Sequence, residues 1–458
     1  MLRKGVTLPE VGSARGGGYN RSSVVTPMRT RREFLRSTVR ASLALSAGGA
    51  LTPGALLAQT PSTIEPRPGP ELKRGPLGQR FPDLRRHFIF EYYPWYGGPP
   101  DFIHWTQWDR VPPLDLASNY VPLLGAYDSR STAVIERHAR WIVDAGAGAI
   151  SLSWWGRDSF EDRAAHVVMD VMKDHGLKVA FHMEPYGIDR SLNWASDILY
   201  LLHEYGEKRH WDALLLLRNA DGQAGPLFKG FATILFERVR DCHGLEHLVP
   251  EYTADSTWRR QNDSVRDALR GSFDHVMLLS DTTDSRRVAA SGFDGMAIYD
   301  HFVEPDRYAG IAVDASRSSL LFSFNVNPGF DTIAPRDVEP GSCFSPRPFW
   351  PPTAELDFER GDGRELAARR SLDRIAESFA AAMAVQVDPA LGNDRRGFFL
   401  MYLNSFNEWH EGHSFEPMKD AAALSDVERA FGYHNPERGD YRLRALAGLL
   451  QPVVQPAG

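Results

Sequence analysis

Cysteine is almost missing: Cys242 and Cys343 are the only two in 458 residues. Two thiols that far apart in sequence exclude a disulfide framework, and they exclude a four-thiolate zinc site. No run of about 18 uncharged apolar residues occurs after residue 60, which excludes an integral membrane segment in the mature chain. Basic residues do not dominate either, since 52 Lys+Arg face 59 Asp+Glu for a net charge of −7. An acidic chain repels phosphate backbones, so nucleic acid is excluded as a partner and neutral substrates fit better. There is no G-x-S-x-G elbow and no repeat of 20–50 residues. What is abundant is apolar and aromatic material, 43% and 11% of the chain, enough for a large buried core.

Charge is unevenly placed. Residues 1–58 hold nine basic side chains (Arg3, Lys4, Arg15, Arg21, Arg29, Arg31, Arg32, Arg36, Arg40) against Glu10 and Glu33. Within them, Thr30-Arg31-Arg32-Glu33-Phe34-Leu35-Arg36 followed by the mild apolar run Ala41 to Ala58 reads as a twin-arginine export signal. Translation is expected to begin at Met28, with a periplasmic or extracellular destination. Residues 59–86 contain six prolines and read as a stiff linker ahead of a single domain over 87–450.

From residue 87 onward, short apolar runs alternate with helical periodicity. Strands are expected at 87–93, 148–154, 177–183, 275–280, 294–299, 319–325 and 397–403. An eighth lies within 212–236, where the runs ALLLL and FATILF compete. Helices are expected over 132–145, 159–175, 194–206, 258–271, 284–291 and 365–386. Strands apolar on both faces and separated by helices imply a parallel sheet under a helical cover. Eight such units favour an α/β fold of the (β/α)8 TIM-barrel type, a single domain with long βα loops. A doubly wound open sheet is the alternative, but Tyr93-Pro94-Trp95-Tyr96-Gly97 stands where its Gly-rich phosphate loop belongs.

In such a barrel the active site is built at the C-terminal ends of the strands. Those positions hold Tyr92 to Gly97 with His104-Trp105 beyond, Ser153-Trp154-Trp155, His182-Met183-Glu184-Pro185-Tyr186, Tyr299-Asp300-His301, Asn325 to Asp331, and Asn404 to Gly412. Aromatics interleaved with carboxylates and amides suit a sugar-binding cleft: rings pack on pyranose C–H faces while polar groups bond the hydroxyls. Glu408 and Glu411 carry the chemistry, because glycosidic cleavage needs one proton donor and one base or nucleophile. The bland reading is two surface glutamates on a solvated loop. A metal site is a further reading, since Glu408, His410, Glu411 and His413 crowd six positions, but the zinc-protease spacing of two histidines four apart is not met.

Taken in order, Tyr92 to Gly97, His104-Trp105, Pro122-Leu123-Leu124-Gly125-Ala126-Tyr127-Asp128-Ser129, Ser153-Trp154-Trp155, His182 to Tyr186 and Ser405-Phe406-Asn407-Glu408-Trp409-His410-Glu411-Gly412 resemble glycoside hydrolase family 99, the endo-α-1,2-mannosidases and endo-α-1,2-mannanases. The resemblance runs from about residue 87 to about 445. It implies cleavage of an internal α-mannosidic bond with retention, and no metal or other cofactor. Under it Glu411 is the general acid/base and Glu408 the base that deprotonates the sugar's own 2-hydroxyl. Glu184 matches a substrate-binding glutamate. Tyr93, Trp95, His104, Trp154 or Trp155, Tyr186, Tyr299 and His410 are candidates for the subsites, Asn407 for positioning, and Arg336 for a substrate-contacting arginine. The expected partner is an oligo- or polysaccharide, and the protein is expected to be monomeric. Residues 337–364 and 207–262 depart from the family, and His413-Ser414 replace an expected Thr-Gln pair. Those departures leave open a hydrolase of another α-linked polysaccharide, or a glycan-binding barrel without catalysis.

Overall fold

The computed structural model describes residues 75–455 apart from 301, 344–348 and 353–355. The expected export signal and the proline-rich stretch up to residue 74 lie outside the described residues. Eight parallel strands close on themselves: β1 Phe88–Tyr92, β2 Ala149–Trp154, β3 Lys178–Met183, β4 Ala224–Gly230, β5 Met277–Ser280, β6 Gly295–Ile298, β7 Leu321–Val326 and β8 Met401–Leu403. Each pairs with the next in chain order. β8 returns to β1 with Met401 beside Phe88. A helix follows every strand: α1 Thr132–Ala145, α2 Phe160–Asp174, α3 Arg190–Tyr205, α4 Asp255–Ala268, α5 Ser285–Ala290, α6 Tyr308–Arg317, α7 Gly361–Gln386 and α8 Tyr441–Val454. This is the (β/α)8 barrel. Helix boundaries follow local chemistry, as where Ser159 caps α2 by accepting from the Asp162 amide.

Alternate strand residues point inward. At the N-terminal end the interior is apolar, filled by Ile89, Ala149, Ala180, Leu227, Met277, Leu279, Leu321 and Leu400. One step up it turns polar with Glu91, Ser151, His182, Lys229 and Ser323, all buried. At the C-terminal rim an aromatic cluster includes Tyr93, Trp95, Tyr96, Trp105, Tyr127, Tyr299 and Trp409.

Four expectations need correction. The fourth strand is neither ALLLL nor FATILF but Ala224–Gly230 between them. Leu216–Arg218 pairs antiparallel onto it, and Leu214 bridges Val179. Pro226, Lys229 and three glycine or alanine positions hide the strand's signal, although Gly225 is sterically demanded: a Cβ there would sit 1.8 Å from the His275 carbonyl oxygen. Helices α6 and α8 were not foreseen. The stretch read as linker up to residue 86 carries a helix over Gly75–Arg80 and a 3-10 turn over Leu84–His87, with Leu77, Phe81 and Leu84 buried against the barrel. Finally, Cys242 and Cys343 do form one disulfide, with Cα atoms 5.4 Å apart. It joins the turn of the Arg238–Arg240/Glu246–Leu248 hairpin, beyond β4, to the long loop beyond β7.

Candidate active site

Glu408 and Glu411 lie just past β8, and a single 3-10 turn brings them together. Glu408 is its N-cap, Trp409–Glu411 form the turn, and Gly412 ends it in the left-handed region at φ 68°. Three residues per turn place positions i and i+3 on the same side, which an extended strand would not do. Glycine is required at 412, because a Cβ would come within 2.2 Å of the Asp331 carbonyl oxygen. The loop after β7 clamps the turn: Asp331 N–H donates to Glu411 O at 3.0 Å and Ile333 N–H to His410 O at 2.8 Å. From below, the Glu408 amide donates to Ser405 Oγ at 2.8 Å, and the Trp409 amide to the Tyr96 hydroxyl at 2.9 Å.

Tyr299, at the end of β6, aims its hydroxyl between the two carboxylates. It stands 2.5 Å from Oε2 of Glu408 and 2.5 Å from Oε2 of Glu411. His413 Nε2 completes the group, 3.1 Å from the Glu411 oxygen, 3.4 Å from the Glu408 oxygen and 3.2 Å from the Tyr299 hydroxyl. One oxygen of each glutamate and the histidine nitrogen lie within 4.8 Å of one another. Such a donor set could attract a cation, but the point on which it converges is taken by the Tyr299 hydroxyl, so hydrogen bonds hold the cluster. The Glu408 side chain is 2% exposed and that of Glu411 10%, so Glu411 is the one that a ligand entering from the rim meets first.

Residues 104–228 match the model of glycosyl hydrolase family 99. A glycoprotein endo-alpha-1,2-mannosidase-like protein of Danio rerio is 28% identical over 388 residues, spanning 77% of this chain and 75% of its own. The glycoprotein endo-alpha-1,2-mannosidase of Mus musculus is 25% identical over 393 residues, spanning 78% and 73%. The chain is a glycoside hydrolase related to family 99. Its fold is also that of the GH99 endo-alpha-mannosidase from Bacteroides thetaiotaomicron, with a TM-score of 0.56 at 22% identity over 80% of this chain and 97% of that one.

Around the hydrolase's carboxylate pair, the structure gathers several of the expected subsite residues. Trp95 stacks on His104 at 4.9 Å and on His410 at 5.8 Å, and Trp155 leans toward it at 6.4 Å. His410 Nε2 bonds the His104 carbonyl oxygen at 3.0 Å. Burial holds His104 down to about 4, so its ring is neutral at ordinary pH. Tyr93 is anchored by its backbone to Asn407 and reaches Glu91 with its hydroxyl at 3.5 Å. Glu184 is buried and accepts from Ser153 Oγ at 2.8 Å.

Other expected residues face elsewhere. Trp154 follows Ile150 and Leu152 on the outer face of β2 and donates from Nε1 to Asp162 of α2 at 2.8 Å. Register therefore gives the cleft to Trp155, whose indole shares the inward face with Ser151 and Ser153. Tyr186 sends its hydroxyl to Asp197 of α3 at 2.5 Å, toward the helical layer. Asn407 is wholly buried and uses its amide on the Tyr93 backbone and the Tyr127 hydroxyl, so it fastens β8 to β1 and is no substrate contact. Arg336 is a tie between rim loops, donating to Asp109 O at 2.8 Å and to Asp115 at 2.7 Å, and none of its hydrogen bonds reaches the pair.

Sequence reasoning passed over the support beneath the site. Lys229 forms a buried ion pair with Glu91, and His182 Nδ1 lies 3.7 Å from the same carboxylate. Asp281 accepts from the Tyr299 amide at 2.8 Å; burial pushes its carboxyl up to about 6 against the pull of Lys229. A charged residue inside an otherwise apolar strand was the available signal.

Proposed function

We propose that this glycoside hydrolase is an exported, retaining endo-α-mannosidase that cleaves internal α-1,2 linkages, with Glu411 as general acid/base and Glu408 as the base acting on the substrate 2-hydroxyl. One observation carries the reading: carboxylate oxygens of both residues lie within a 4.8 Å cluster. That closeness leaves no room for the water that inverting pairs, about 6.5–9.5 Å apart, admit between them, and it lets both groups serve one sugar.

In an α-mannoside the 2-oxygen and the leaving group are both axial and anti, so O2 can attack C1 from behind. Glu408 then removes the O2 proton while Glu411 gives its proton to the departing oxygen, and a 1,2-anhydro sugar results. In the second step Glu411, now a carboxylate, takes a proton from water as that water opens the ring at C1, and Glu408 returns its proton to O2. Export is supported by the twin arginines, and a disulfide suits an oxidising destination. The two segments that depart from the family, both in loops beyond the C-terminal ends of strands, are tethered to each other, and that favours a second reading, in which the same chemistry serves another α-linked polysaccharide.

Glu411→Gln is expected to lower turnover of an unactivated α-mannoside at least about 10²-fold while ligand binding survives. Hydrolysis at the parent rate would remove Glu411 from the acid role. A 2-deoxy donor turned over as well as its parent would rule out participation by O2. Mass spectrometry of products from a panel of α-mannans and glucosyl-capped mannosides separates the two substrate readings.

A further inference from the structure

The Tyr299 hydroxyl has one hydrogen, yet it stands 2.5 Å from an oxygen of each glutamate. One proton cannot satisfy both contacts, so one glutamate carries the other, as the acid role of Glu411 requires. His413 Nε2 faces the same two oxygens at 3.1 and 3.4 Å. A lone pair there would oppose those of two carboxylates; Nε2 therefore carries hydrogen and donates.

The ring is fully buried, with Phe330 edge-on at 5.3 Å. Its backbone is gripped on both sides by Arg442 of α8, which donates to Gly412 O at 2.7 Å and Ser414 O at 3.2 Å. Among the described residues, the charged or titratable groups around His413 are Glu408 and Glu411 on the turn, Tyr299 from β6, Arg442 from α8 and Asp331 after β7. Asp331 is paired with His434 at 2.7 Å. Behind Tyr299 lie Asp281 and Lys229, the latter 5.6 Å from the tyrosine ring and paired with Glu91. Glu408 and Glu411 touch the imidazole directly, whereas Arg442 reaches the backbone on either side of it.

We propose that His413 is a positioning residue of the hydrolytic site: an imidazolium that stays protonated through the cycle and holds the Glu408 and Glu411 side chains together. This rests on reading the two glutamates as base and acid. Burial alone would pull the imidazole down, but hydrogen bonds and charge from Glu408 and Glu411 lift it above its ordinary value. When Glu411 has given up its proton, the new carboxylate already has an N–H donor beside it and needs no reorganisation. A cation next to two carboxylates also favours their ionised forms, so the active pH window sits lower than threonine would set it.

The test is the pH profile of kcat/KM on α-1,2-mannotetraose for the parent, His413→Thr and His413→Gln. Both limbs are expected to move up by about one pH unit in both variants, with kcat at the optimum reduced about tenfold or more. Limbs that stay put in both variants, or that move in the threonine variant alone, overturn the proposal, since glutamine keeps a donor without charge. In the unsubstituted protein, imidazole NMR of selectively labelled histidine should show His413 still charged above pH 6.5; a neutral ring at that pH overturns the proposal even if the variants fail to fold. Loss of turnover in Glu411→Gln alongside unmoved His413 profiles would sink this inference alone.

Discussion

Lys229 and Glu91 sit wholly inside the barrel, one layer below the carboxylate pair. A buried ion pair contributes little net stability while both partners stand, but removing one strands the other charge in a dry interior. Lys229→Met is therefore expected to destabilise the protein by about 3–5 kcal/mol in urea denaturation. Adding Glu91→Gln should restore much of that loss; a single variant costing under about 1 kcal/mol would show that Glu91 does not depend on the lysine. Glu91 was visible in a strand that otherwise reads as apolar, but the strand that carries Lys229 was not foreseen, and nothing in a one-dimensional pattern says that two such residues 138 positions apart meet. The same limit governed Trp154 and Trp155, where one step of register reverses the face. Asn407 and Arg336 belong to the right loops, but chain order does not say whether a polar group faces a ligand or a neighbouring backbone. Glu408 and Glu411 were legible because their meeting depends on a local turn.

At the scale of elements, strands with apolar side chains on both faces announce themselves, and β4 does not. Its inward lysine, its proline and its two flanking glycines serve close packing and the interior charge pair, and each of them weakens a strand signal. The rim tether between the hairpin after β4 and the loop after β7 was equally hidden, since two isolated cysteines predict nothing about proximity. Cys343→Ser opens a loop with ends 101 residues apart, and a stability loss of about 2–4 kcal/mol is expected. On the catalytic side KM for an oligosaccharide should rise about 3- to 10-fold, with kcat nearly unchanged, because the tether joins loops that follow β4 and β7 and holds none of the reacting groups. Steady-state kinetics with and without reductant check this. An equal fall in kcat would mean that the tether supports the chemistry itself.

For the whole molecule, pH acts through groups remote from the site. His87 is buried at the start of β1, and burial holds it down to about 4 against a hydrogen bond to the Phe399 carbonyl oxygen. Its folded-state value lies below the unfolded one, so the neutral form belongs to the fold. Above pH 6.5 it makes no difference; between 6.5 and 4 the unfolded chain takes up a proton that the native state refuses. Stability should fall across that window by about 3 kcal/mol from this residue. Denaturation midpoints at pH 7 and 4.5 test it, and a His87→Gln variant that loses as much stability on acidification would refute the assignment. The segment ahead of β1 has a related consequence. Phe81 lies against His87 and Phe399, Arg80 pairs with Asp394, and Arg85 donates to the carbonyl oxygens of Val143 and Ala147. These residues are the floor of the barrel, so removing Leu77 to Arg85 would let water into its lower layers.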